Sequence, residues 1–138
     1  MLTNTDCTVY NVHEDDNGSI IIVRTHLDAV HWEPRKAVNV FSSGMKDADS
    51  LSVWIPLCVG SGGSLYLDPV IFSSLDSPAG YWTLDENTYF VKGDSPDVAD
   101  MKELKSLLKT TSEQFKVSIV DPKMFGSIRL QHWQVTGK

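Results

Sequence analysis

Between Cys7 and Leu57 the chain is a succession of short alternating runs, each stopped by a turn signal or a proline. This pattern constrains the fold more than any other feature. Thr8, Tyr10 and Val12 alternate with Val9, Asn11 and His13, a period of two that belongs to an extended strand. Asp15-Asp16-Asn17-Gly18 follows, and Asn-Gly between β-rich runs marks a hairpin because both residues tolerate positive φ. Ser19–His26 carries the β-branched run Ile20–Val23. A third run, Asp28–Trp32, stops at Glu33-Pro34, where proline has no N–H to give a ladder. Val38–Phe41 makes a fourth run, closed by Ser42-Ser43-Gly44 and the polar Lys46–Asp49 turn. Leu51, Val53 and Ile55 alternate with Ser52 and Trp54 in a fifth, ended by Pro56. Short strands with turns at such regular spacing predict a mainly β fold, an antiparallel β-barrel or sandwich.

The second half adds a helix to this framework. Ser95 is placed to cap it, Pro96 suits its first turn, and Asp97 suits the positive end of the helix dipole. Val98, Met101, Leu104 and Leu108 recur at spacings of three and four, so the pattern predicts one accessory α-helix over 96–109. A shorter helical turn is expected after Asp68-Pro69. Tyr81–Leu84 and Thr88–Lys92 read as a hairpin around Asp85-Glu86-Asn87. Phe115, Val117 and Ile119 then form a strand ending at Asp121-Pro122, and Ile128–Val135 a final one. Strands, one helix and strands again, without βαβ alternation, predict a single β-rich domain over 1–138. Within it Val59, Gly60, Ser61, Gly62, Gly63, Ser64, Leu65 and Tyr66 form a glycine-serine segment with high backbone freedom, expected to be a flexible, partner-contacting loop.

Composition excludes several classes. A net charge of −6 argues against wrapping nucleic acid by charge neutralisation. The N-terminus has neither the basic nor the apolar region of a signal peptide, and no apolar run approaches the roughly 18 residues needed to span a bilayer. Synthesis in the cytoplasm without a membrane partner is therefore expected. Cys7 and Cys58 are far apart, which suits buried thiols better than a disulfide or metal pair.

Chemistry-bearing patterns are sparse. His26 and His31 are five apart, so a regular strand sends them to opposite faces, and His13 and His132 complete no ligand spacing. The glycines at 60, 62 and 63 lack the Gly-Lys-Ser/Thr ending of a phosphate loop, and Ser43-Gly44 lacks the flanks of a nucleophile elbow. Asp15, Asp16, Asp47 and Asp49 sit in expected turns, where Asp serves its own backbone. No catalytic, metal or cofactor residue is singled out, and the chain is not expected to be an enzyme. Trp32, Trp54, Trp82 and Trp133 each fall in an expected strand, which favours a shared aromatic core over an exposed recognition patch.

Several blocks carry a resemblance. His31-Trp32-Glu33, Lys36–Val40, Ser43-Gly44, Ala48-Asp49-Ser50, Val53 and Ile55-Pro56 resemble small structural proteins of tailed phages and prophages of Gram-positive bacteria. Gly80–Leu84 with Tyr89–Gly93 fits the same group. So do Phe125-Gly126-Ser127, Leu130–Trp133 and Gly137-Lys138 at the other end. In size and β character such proteins are similar to head-closure (stopper) and connector components. The resemblance implies a virion protein at the head–tail interface and carries over no catalytic residue. Its implied partners are further copies in a ring, the portal or adaptor, the tail terminator, and double-stranded DNA passing without sequence-specific binding. A globule of this length has a radius of gyration near 14 Å, too small to enclose a duplex alone, whereas a closed ring of copies can. A tail terminator or minor tail protein shares this logic. A small β-barrel ligand-binding domain or enzyme is the reading from another class, and it requires a pocket with convergent polar groups.

Overall fold

The computed structural model describes residues 2–33 and 51–138, and in them the alternating runs close into a six-stranded antiparallel barrel. The strands are β1 (Thr5–Glu14), β2 (Ile20–Glu33) and β3 (Leu51–Pro56), then β6 (Thr88–Lys92), β7 (Gln114–Lys123) and β8 (His132–Gly137). Their order round the barrel is β1-β2-β3-β8-β7-β6, with β6 returning to β1. β4 (Leu65–Tyr66) and β5 (Tyr81–Trp82) form a separate parallel pair, with α1 (Pro69–Ser73) between them, and α2 (Met101–Lys109) lies between β6 and β7. The Val38–Phe41 run, its closing turn and the resemblance blocks at 36–50 lie outside the described residues.

The first hairpin forms as its turn chemistry requires. Gly18 adopts φ +81°, and the Asp15 carboxylate accepts the amides of Asn17 and Ser19 at 2.9 and 2.8 Å. β2 is one continuous strand where two were expected, because a bulge at Asp28-Ala29 replaces the anticipated break. Thr5 pairs with Val30 but Cys7 with Leu27, so β2 carries one extra residue there. The bulge reverses the in/out alternation: Thr25 and Leu27 are buried before it, Val30 and Trp32 after it. His26 and His31 consequently share the outer face, correcting the expectation from their odd spacing. His26 Nε2 meets Asp6 Oδ2 at 2.8 Å and His31 Nε2 meets Glu33 Oε1 at 3.1 Å.

Side chains fill the barrel. Cys7, Val9, Leu27, Trp32, Val53, Phe90, Phe115 and Val135 belong to one buried cluster, with Phe90 and Phe115 stacked at 5.0 Å. Three of the four tryptophans join it. Trp54 instead sits on the outer face between His31 and His132, with ring centroids at 5.4 and 5.5 Å. Tyr10, Ile22 and Val91 form a second cluster with Val98 and Leu104, where α2 covers the β1–β6 wall.

α2 begins at Met101, five residues later than expected. Asp100 is the cap: its carboxylate accepts the Glu103 amide at 2.9 Å, and Glu103 reaches back to the Ala99 amide at 2.7 Å. Ser95 and Pro96 serve as tethers instead, with the Ser95 amide bonded to Thr8 Oγ1 and the Pro96 carbonyl accepting the Tyr10 hydroxyl at 2.6 Å. Two further expectations are corrected. Tyr81–Trp82 pairs with β4 instead of forming a hairpin with β6, because residues 83–87 cross the barrel end. The last strand starts at His132, since residues 128–130 form a hydrogen-bonded turn (Leu130 N to Ser127 O, 2.9 Å).

Candidate partner interface

The end of the barrel away from Thr5 and Lys92 carries a plug. Trp82 and Leu84 enter the core, Tyr66 lies 4.5 Å from the Trp133 ring and 5.1 Å from Trp82, and Phe72 of α1 covers His13 edge-on at 5.5 Å. Asp68 caps α1 through the Val70 amide, with Pro69 in its first turn, as the sequence indicates. Asn11 ties the plug to β1. Its Nδ2 donates to the Thr83 carbonyl at 2.8 Å and Thr88 Oγ1 at 3.1 Å, while its Oδ1 accepts the Thr83 amide at 3.2 Å. His13 is buried below Phe72 with neither ring nitrogen hydrogen-bonded, beside a cavity of about 360 Å³ that Glu14, Asp85 and Asn87 also line.

The glycine-serine segment runs along this end. Ser61-Gly62-Gly63-Ser64 is a tight turn, with the Ser64 amide on the Ser61 carbonyl at 3.1 Å and the Ser61 hydroxyl on the Ser64 carbonyl at 2.6 Å. Gly62 and Gly63 both take positive φ (64° and 86°), which requires residues without a Cβ penalty. Gly60 fits against the bulge. Its carbonyl accepts the Asp28 amide, its own amide donates to Asp28 Oδ1, and a Cβ there would stand 2.1 Å from Asp28 Oδ2. Of the eight candidate contact residues, Gly62, Gly63 and Leu65 are exposed. Val59 and Tyr66 pack against the barrel core, and Gly60, Ser61 and Ser64 are half-buried.

The more prominent apolar surface at this end has a different origin. Among the described residues, every exposed large apolar side chain except Leu2 and Ile119 belongs to this end: Ile20, Leu65, Val70, Ile71, Met124, Phe125, Ile128 and Leu130. The β7–β8 loop presents four of them, with Phe125 74% and Ile128 65% exposed. Sequence reasoning missed this loop because Ile128 and Leu130 read as the start of a strand, which would have buried one of its faces. The signal was Phe125-Gly126-Ser127, a turn sequence set before them; Gly126 has φ +82°.

The His26 hydrogen bond holds the Asp6 carboxyl below its usual range. Burial pushes the Cys7 thiol far up, and burial also raises the hydroxyls of Tyr10 and Tyr66. Cys58 is a free, exposed thiol. No helix among the described residues is long and apolar enough to cross a membrane.

A protein-family model matches residues 2–138, and the chain belongs to that family, described as a family of unknown function (DUF6751). No curated protein and no solved structure matches it significantly.

Proposed function

We propose that this protein is a non-enzymatic subunit of a phage head–tail interface, a head-closure or connector ring component. One observation carries the reading: a barrel filled by its own side chains concentrates its exposed apolar residues at one end. Apolar surface of this kind, clustered on protruding loops, marks protein–protein contact. The residue blocks that resemble structural proteins of tailed phages supply the context. Within a ring, the net charge of −6 repels phosphate, so DNA passes without being captured. The tail-terminator reading uses the same surface at a different level of the virion, and the subunit's position in a density map of the intact particle separates the two.

The test is electron microscopy of particles assembled without this protein. Tailless heads that lose their DNA are the expected product. Particles with normal tails and full infectivity overturn the proposal.

A further inference from the structure

The barrel is not equally sealed all round. β2 is paired to β1 from Ile20 to Val30 but meets β3 only at His31, Trp32 and Glu33. Asp28 is held by Gly60, and beyond it no strand is hydrogen-bonded to the free edge of β2 among the described residues. Alternation from the Asp15–Ser19 hydrogen bond turns the peptide groups of Ile22 and Arg24 towards this edge. Facing it is the turn Ser77–Gly80. Between the two lies a groove of about 430 Å³ whose lining includes Ile21, Ile22, Val23, Pro78, Ala79 and the carboxylate of Asp97.

The β7–β8 loop lies away from this edge, with β3 between β2 and β8. In the order β1-β2-β3-β8-β7-β6, the β7–β8 connection stands across from the β1–β2 wall. The loop carries Phe125, Ile128 and Leu130 exposed, together with Arg129, an exposed cation with no hydrogen bond or ion pair among the described residues. One wall therefore offers apolar side chains beside a free positive charge. The other offers an apolar groove beside a negative one. Arg24 also lines the groove, but Asp94 offsets the charge of its guanidinium, which the Ser95 carbonyl engages as well.

We infer that the β7–β8 loop of one copy docks into the β2-edge groove of the next, with Arg129 against Asp97. This rests on the ring-subunit reading and specifies its contact. Two different patches that complement each other make a heterologous contact between copies. They join head to tail, and the contact repeats until a ring closes or a filament grows. The peptide groups of Ile22 and Arg24, turned towards this edge, let the loop backbone add main-chain bonds to the side-chain contact.

The experiment uses two full-length variants, Phe125→Glu in the loop and Ala79→Arg in the groove, both at exposed positions. Circular dichroism confirms that each is folded, and sedimentation reads the mass across a concentration series. The wild-type chain is expected to self-associate. Each variant alone should do so on the order of 30-fold more weakly, as for loss of a hot-spot side chain. Mixed in equal amounts, the variants retain one intact loop and one intact groove between them. They should form a 1:1 heterodimer and nothing larger. A wild-type chain that stays monomeric, variants that associate like wild type, or a mixture without heterodimer each overturns the inference. These outcomes are independent of the particle phenotype, so failure here is distinguishable from failure of the head–tail assignment.

Discussion

Asn11 offers the sharpest test of how the barrel end is held. It is 1% exposed and is the side chain that bonds both peptide groups of Thr83. Asn11→Leu keeps the branching and number of heavy atoms in a larger side chain, so water has no room to replace the lost amide. The Thr83 N–H and C=O are then both buried without partners, at about 1–3 kcal/mol each. Thr88 is not orphaned, because its hydroxyl still donates to Asp85 Oδ1 and accepts the Asp85 amide. Burying the leucine offsets about 1–2 kcal/mol of the loss. Central values give a destabilisation of about 2.5 kcal/mol, a fall in Tm of roughly 9 °C for a chain of this size. Urea unfolding at low protein concentration measures it without interference from self-association. Hydrogen exchange adds a local reading: the Thr83 amide should lose protection while that of Val91, in the β1–β6 ladder, keeps it. A variant as stable as wild type, with the Thr83 amide still protected, refutes the claim that Asn11 fastens the plug.

Two further outcomes are expected. Asp6 is held below the usual carboxyl range in the folded state by its bond to His26, so its contribution is complete above about pH 4 and disappears as pH falls through the lowered value. The stability difference between wild type and Asp6→Asn, followed by urea titrations from neutral to acid pH, should therefore shrink on acidification; a difference that grows there contradicts the assignment. Thiol labelling of the native protein should modify Cys58 alone, and Cys7 only after denaturation, since Cys7 is fully buried with its thiol pushed up. Equal native labelling rates for the two would show that the barrel opens at β1.

The parts of the fold written in local chemistry were legible from sequence. The Asn17-Gly18 turn, the Asp68-Pro69 helix start and the alternation of Leu51, Val53 and Ile55 each need only a few neighbouring residues to define them. The misreadings arose where a distant partner decides. Ser95 and Pro96 resemble a helix start, but Thr8 and Tyr10 on β1 claim their backbone groups and Asp100 caps instead. The bulge at Asp28 depends on Gly60, which no window around Asp28 contains. Tyr81-Trp82 has the composition of a hairpin strand and is diverted to β4 because Asn11 draws Thr83 across the barrel end. The segment over 59–66 is a tight turn with only Gly62, Gly63 and Leu65 exposed, whereas the more exposed β7–β8 loop was hidden by the strand-like alternation of Ile128 and Leu130.

The position of β8 has a kinetic meaning. It is inserted between β3 and β7, with Val53, Trp54 and Ile55 on one side and Val120, Asp121 and Pro122 on the other. Until residues 132–137 have been synthesised and released from the ribosome, both neighbours present unpaired edges, and the β3–β8 pairing must close a loop of some eighty residues. Such long-range closure is slow compared with forming the β1–β2 hairpin. The nascent chain therefore passes through a stage with a formed hairpin and two sticky strand edges, and rapid synthesis at high copy number raises the chance that two such chains pair with each other before either closes.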